Sequence, residues 1–211
     1  MPHYKLMYFN LRGYGEGPRL LLHYAGVPFE DVRVTFEEWP KLKAKMPFRQ
    51  LPVLEVDGRQ IAQSAAICRY LGRQFSKYLV PKCPIEEAMV DAVHDAHKDF
   101  QYEIRDYLLI SEGFAQGDKD EKVKMLKDVV LPAANKYFGY LRGLLIKSDG
   151  THLVGKTLTW ADIVIADNLH SITIIIPTLF DGQPEIKKYV DGILQIPAIK
   201  KYIEERPETP F

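Results

Sequence analysis

Leu51-Pro52-Val53-Leu54-Glu55-Val56-Asp57-Gly58-Arg59-Gln60-Ile61-Ala62-Gln63-Ser64 is the stretch whose reading decides the fold. Two strand-like runs meet at Asp57-Gly58, a dipeptide that suits a two-residue hairpin turn because both central residues need positive φ. Leu51-Pro52 can hold a cis peptide in a tight turn, with backbone groups at Leu51 able to pair with an extended peptide. Ser64 stands where a helix begins, with Ile67, Leu71 and Phe75 spaced four apart behind it. A helix N-terminus offers unpaired N–H groups to a carboxylate, although simple capping by Ser64 explains the same residues equally well.

Upstream of the hairpin, strands and helices alternate. Leu6-Met7-Tyr8-Phe9 reads as a short strand, followed by a glycine-rich turn over residues 10–18 and a helix over 19–25 with Pro18 at its first turn and Gly26 at its stop. Val32-Arg33-Val34 alternates like a strand, and residues 39–46 read as a short helix that puts Trp39 and Lys43 on one face. Downstream the grammar changes. Residues 78–84 contain Pro81 and Pro84 and read as a linker. Beyond them the long segments, 85–111, 122–146, 160–176, 185–194 and 198–206, all have helical period. Thr159 with Asp162 forms a capping box, and Leu158 with Ile163 stands at the positions of a hydrophobic staple. The expected architecture is therefore a small α/β domain over residues 1–79 and an all-helical one over 81–211.

The chain's 211 residues can bury a sizeable core without metals or disulfides. Lys+Arg and Asp+Glu are 28 each, so the basic excess of a nucleic-acid or anionic-membrane binder is missing. The longest apolar run, 172–180, contains Pro177 and is far too short to span a membrane. Cys68 and Cys83 show no C-x-x-C spacing, and the first residues do not resemble a secretory signal, which points to a reducing, cytoplasmic setting.

Several motifs carry competing readings. Gly13-x-Gly15-x-Gly17 lies where a dinucleotide fingerprint would, but Pro18 occupies the place of the third glycine, so a flexible turn is the better reading. His94 and His97, with Asp91, share a helical face at metal-ligand spacing. The charged residues around them, Asp95, Lys98 and Asp99, favour a solvated or interface-facing polar surface instead, and no metal is expected. Tyr8 is a strand tyrosine that would ordinarily be core. Its place at a strand end before a loop makes it a candidate functional group.

Taken together, Tyr8, Trp39-x-x-x-Lys43, Leu51-Pro52-Val53-Leu54, Gln63-Ser64-x-Ala66-Ile67 and Thr159-Trp160-Ala161-Asp162 resemble the cytosolic glutathione transferases over essentially the whole chain. The Phe-Asn-x-Arg-Gly stretch beginning at Phe9 and the Asp57-Gly58 to Gln63-Ser64 stretch are similar to the sigma class and its nematode relatives. The resemblance implies a thioredoxin-like N-terminal domain, an all-α C-terminal domain and a homodimer. It also implies a site for glutathione, the co-substrate, against which Tyr8 would donate a hydrogen bond to the sulfur. Leu51, beside cis-Pro52, would pair with the peptide backbone. Gln63 and Ser64 would meet the γ-glutamyl carboxylate, and Lys43 and Trp39 the glycyl carboxylate. Arg49 and Gln50 stand at further contact positions, and Asp99 matches an acid reaching across the dimer interface. A hydrophobic electrophile would lie between the domains, with Phe9, Tyr14, Tyr102 and Phe211 as its wall.

The implied activity is conjugation of glutathione to electrophiles in detoxification, with possible glutathione-dependent peroxidase chemistry. The alternatives are a non-catalytic binding protein for haem or other hydrophobic ligands and a glutathione-dependent prostaglandin isomerase. Tyr14 stands where the sigma pattern often has arginine, so the charge beside Tyr8 would have to come from elsewhere, Arg12 or Arg19 being the candidates.

Overall fold

The computed structural model describes residues 2–75, 79–148 and 150–209. Its sheet is built from four short strands, β1 (Tyr4–Phe9), β2 (Glu30–Val34), β3 (Val53–Val56) and β4 (Arg59–Ala62), in the order β2-β1-β3-β4. Strands β1 and β2 run parallel because α1 (Gly13–Tyr24) carries the chain back between them. The hairpin then adds β3 antiparallel to β1, and β4 antiparallel to β3. Asp57 and Gly58 turn it with φ of 47° and 80°, both in the left-handed region that this dipeptide tolerates.

Registers fix what shares an end of the sheet. Tyr8 pairs with Arg33, Met7 with Val53, and Val53 with Ala62. Tyr8, the start of β3 and the end of β4 therefore lie at one end, and Asp57-Gly58 at the other. The apolar face is covered by α1 and α3 (Ser64–Phe75), which pack on each other over Leu6, Leu20, Leu22, Leu54 and Ile67, all fully buried.

The helical remainder comprises α4 (Pro84–Ser111), α5 (Lys119–Met125), α6 (Leu131–Lys147), α7 (Trp160–Ile175), α8 (Pro184–Leu194) and α9 (Pro197–Glu205). Helix α4 packs against α6 and α7, and Phe100 of α4 stacks on Tyr137 of α6 at 4.8 Å. Thr159 and Asp162 close the capping box that starts α7: the Thr159 N–H donates to Asp162 Oδ2 at 2.8 Å, and the Asp162 N–H donates to Thr159 Oγ1 at 3.4 Å. None of the described helices is long and apolar enough to cross a membrane.

The chain forms two compact units, Met1–Val80 with Leu194–Pro210, and Pro81–Ile193. The final helix belongs to the first unit, although it follows the helical one in sequence. Ile199 and Tyr202 of α9 are buried, α9 packs on α1, and Tyr202 stacks on His23 at 4.0 Å.

Three local expectations differ from what forms. Helix α1 begins at Gly13 rather than residue 19, which makes Pro18 its sixth residue instead of a first-turn residue. The helix expected over 122–146 is broken. Residues Leu126–Val130 form a π-helical turn that ends two positions before Pro132, whose ring and missing N–H do not fit the ordinary i→i−4 ladder. His94 and His97 are 4% and 1% exposed, so the surface reading of that stripe is corrected: they are core residues of α4.

Candidate active site

The end of the sheet that carries Tyr8 also collects most of the candidate residues of the first unit. Tyr8 is 6% exposed, and its hydroxyl oxygen accepts the Tyr14 N–H at 3.1 Å. A phenol both donates and accepts. With the amide on its acceptor side, the Tyr8 proton is the part left for a ligand. Burial pushes the Tyr8 pKa up to about 12, while the Tyr14 N–H and the Arg19 charge pull the other way. Tyr8 therefore keeps its proton at neutral pH and is a donor, not a base.

Gly13 and Gly15 have a different purpose from the flexible turn read in the sequence. A Cβ on Gly15 would lie 2.3–2.8 Å from the Tyr8 ring and its Cβ, and one on Gly13, already at φ +39°, would lie 2.7 Å from the Tyr8 hydroxyl. The first turn of α1 is glycine-rich because its backbone presses directly on Tyr8.

Beneath Tyr8 lies a chain of charges, buried at Glu16 and Arg19 and half-buried at Asp31 and Arg33, that sequence reading did not assemble. Arg19 is fully buried, with its guanidinium carbon 5.8 Å from the Tyr8 ring centroid. It donates to Asp31 at 3.0 Å, to Glu16 at 3.0 Å, and to the carbonyls of Leu11 at 2.8 Å and Phe9 at 3.3 Å. Glu16 also accepts from Arg206 at 2.9 Å, and Asp31 from Arg33 at 2.9 Å. The i, i+3 spacing of Glu16 and Arg19 was a visible signal for part of it. The Asp31, Arg33 and Arg206 partners depend on tertiary structure.

The hairpin supplies the second half of the site. Leu51-Pro52 is a cis peptide, and sheet pairing begins at Val53, beyond Leu51. Gln63 has φ 73° and its carbonyl accepts from the Ile67 N–H at 2.9 Å, so Gln63 is the N-cap of α3 and Ser64 its first helical residue. This corrects the expected capping by Ser64. The Gln63 side-chain amide donates to Gln50 Oε1 at 3.2 Å, tying the two loops together. Phe48 and Arg49, at φ 53° and 54°, are two further non-glycine residues in the left-handed region. Nothing in the residue types signals this backbone strain, which costs on the order of 1–3 kcal/mol per residue.

Trp39 begins α2 (Trp39–Leu42) and meets Phe9 edge-on at 5.6 Å. Phe9 also stacks on Phe36 at 4.9 Å, so its ring is engaged with Phe36 and Trp39. Lys43 is exposed at the end of the short helix that Trp39 begins, and Arg49 and Gln50 are exposed directly before Leu51. Tyr14 is about half exposed. Asp99 and Tyr102 are exposed on α4, in the second unit, and Phe211 lies outside the described residues.

Other titratable clusters are structural. Tyr137 donates to Nδ1 of His97 at 3.0 Å, and the His97 Nε2–H donates to Asn168 Oδ1 at 2.9 Å, a fully paired neutral imidazole whose burial drives its pKa down to about 3. Among the described residues no three His, Cys, Asp or Glu side chains come together to hold a metal ion. Cys68 is buried, and desolvation pushes its thiol pKa up, making it inert.

A mixed four-stranded sheet with a cis-proline loop, a strand-end tyrosine and a helical second unit defines a thioredoxin-like domain joined to an all-α one. The chain belongs to the glutathione S-transferase family: residues 4–73 match its N-terminal domain and residues 107–206 its C-terminal domain. It is 52% identical to glutathione S-transferase 1 of Ascaris suum over the full length of both chains. Among solved structures, the glutathione S-transferase of Ascaris lumbricoides superposes with a TM-score of 0.93 at 51% identity over both full chains. Monomeric Na-GST-3 of the hookworm Necator americanus gives 0.93 at 47% identity, over 99% of this chain and all of that one.

Proposed function

We propose that this enzyme conjugates the glutathione thiolate to hydrophobic electrophiles, with Tyr8 as the hydrogen-bond donor to the sulfur. The observation that carries the reading is the Tyr8 hydroxyl itself: buried, protonated at neutral pH, and engaged on its acceptor side by Tyr14 N–H. It shares an end of the sheet with Leu51, Gln63 and Ser64, which receive the peptide as the sequence implied. Lys43 and Trp39 take the glycyl carboxylate, Arg49 stands at a further contact position, and Gln50 steadies Gln63.

The magnitudes are adequate. A thiol of pKa ~8.5 is about 3% ionised at pH 7, and lowering that pKa by ~2 units requires about 2.7 kcal/mol of preference for the anion. One hydrogen bond to a charged group supplies roughly 1.5–3 kcal/mol. The thiol proton leaves to solvent, the thiolate sulfur forms a bond to the electrophilic carbon, and the leaving group departs with the bonding pair. The protein contributes no nucleophile of its own, consistent with the inert Cys68.

Conjugation of glutathione to a chloronitroaromatic tests the reading. Tyr8→Phe is expected to lose one to three orders of magnitude in kcat/KM, as for removal of one preorganised donor. Wild-type rates in that variant would refute it. Retention on immobilised glutathione without turnover by the wild type would instead favour a non-catalytic binder. We further infer a cytoplasmic homodimer in which Asp99 approaches the γ-glutamyl amine of the partner's glutathione. The family resemblance supports it, and sedimentation of the protein with and without glutathione tests the assembly.

A further inference from the structure

Position 14 is a tyrosine, so a cation acting on Tyr8 has to come from another residue. We propose that Arg19 is a positioning residue that supplies it from beneath the ring, and that Arg206, from the segment after α9, tunes Arg19 through Glu16. The inference rests on the assignment of Tyr8 as donor to the glutathione sulfur.

Three observations carry it. Arg19 is a fully buried guanidinium of α1, one turn before Leu22 on the same face, and Leu22 shows that this buried face accepts leucine. Burying such a charge is unfavourable without close partners, and replacing it by an apolar residue is often neutral or stabilising, so packing alone does not call for arginine here. Second, its guanidinium carbon lies 5.8 Å from the Tyr8 centroid, close enough for attraction to the ring and for its field to reach the hydroxyl. Third, its remaining N–H groups grip the carbonyls of Phe9 and Leu11. Those carbonyls flank the turn that leads to Tyr14, whose N–H orients the Tyr8 oxygen. Arg19 thus sets both the field at Tyr8 and the loop that aims it.

The charges alternate along one line, Arg33–Asp31–Arg19–Glu16–Arg206, each carboxylate using one oxygen for each neighbouring guanidinium. The groups facing Arg19 and Glu16 are His23 on α1, Asp31 and Arg33 on β2, and Tyr202, Glu205 and Arg206 at the end of α9. In such a chain, neutralising an acid makes the potential at Tyr8 more positive, and neutralising an end arginine makes it less so. The two changes must move a thiolate in opposite directions, which a purely structural network would not do.

The test measures the apparent pKa of the thiol of bound glutathione, from the ultraviolet absorbance of the thiolate at saturating glutathione, together with kcat and KM against a chloronitroaromatic. Asp31→Asn is expected to lower that pKa by about half a unit to one unit, and Arg206→Gln to raise it by a similar amount. Arg19→Gln is expected to raise it by about one unit and to reduce kcat/KM about tenfold at neutral pH, with KM for glutathione within about twofold of wild type. Arg19→Lys, which keeps the charge and loses the fork on the two carbonyls, should restore the pKa but not the full kcat. If Arg19→Gln does not fold, the opposed pair Asp31→Asn and Arg206→Gln decides alone. Shifts of the same sign in that pair, or none, overturn the inference while leaving Tyr8 in place. A Tyr8→Phe variant that is as active as wild type overturns the assignment beneath it.

Discussion

Among the described residues, each compact unit holds a buried polar cluster. In the first, Arg19, Glu16, Asp31 and Arg206 lie under Tyr8 at the open end of the sheet. In the second, Asp162 accepts from Thr159 N–H and Oγ1, Leu153 N–H and the Tyr189 hydroxyl, and His97 sits between Tyr137 and Asn168. His97 has its pKa driven down to about 3 and Asp162 has its raised by desolvation against its donors, so the second cluster is as perturbed as the first. Perturbation alone therefore does not identify a site. The difference is in what remains unspent. Both nitrogens of His97 have partners in the helical core, whereas Tyr8 keeps a proton to offer at a strand end bordered by glycine backbone and a left-handed Gln63.

The largest expected effect lies in the helical cluster. Asp162→Ala leaves the first turn of α7 and the Leu153 N–H without their acceptor, and should cost roughly 3–5 kcal/mol, from about 1–3 kcal/mol per orphaned buried donor plus the lost cap. Denaturant midpoints measure it, and the folded fraction should retain the wild-type KM for glutathione. A changed KM with unchanged stability would abolish the contrast between the clusters.

Gly15→Ala is the reverse experiment. Its new methyl would overlap the Tyr8 ring, so turnover should fall by about two orders of magnitude, equivalent to ~2.7 kcal/mol. The checks are kcat/KM and the tyrosine near-ultraviolet signal.

The third effect concerns acid. His97 is neutral when folded down to about pH 3 and takes a proton near its ordinary 6.5 when unfolded. Between those values the unfolded chain binds the extra proton. Stability is therefore full above about pH 6.5 and falls with acid, by up to ~1.4 kcal/mol per pH unit from this group. His97→Gln should flatten the dependence of unfolding free energy on pH between about 4 and 6. The smallest effect is a gain: a Cβ on Gly139, within α6, would meet nothing within 4 Å, so Gly139→Ala should add about 0.5–1 kcal/mol of stability with no change in kcat.

Legibility in the sequence followed the range of the interactions. The 51–62 hairpin, its cis-proline entrance and the Thr159–Asp162 box were readable because each is specified by residues within a few positions of one another. Helix α1 was read as starting too late because glycines signal turns locally, while here they answer a close approach to Tyr8. The break at 126–130 was missed because helical periodicity outweighed the single Pro132. The histidines of α4 were read as surface from their charged neighbours, although i, i+3 spacing equally fits an inward stripe. Of the site, the hairpin residues and Tyr8 could be proposed from pattern. The Arg19 chain could not, since it joins position 16 to position 206.

That last link has a consequence for biosynthesis. The first unit is assembled from two separate stretches, Met1–Val80 and Leu194–Pro210, with Arg206 closing on Glu16. Its sheet and two of its helices emerge early from the ribosome, yet Glu16 waits for its second arginine until residue 206 has been added. At roughly 5–20 residues per second, that delay is on the order of ten to forty seconds for a chain of this length. During it the nascent domain presents an uncovered face of α1, and the charge chain beneath Tyr8 is not complete until the whole second unit has been made.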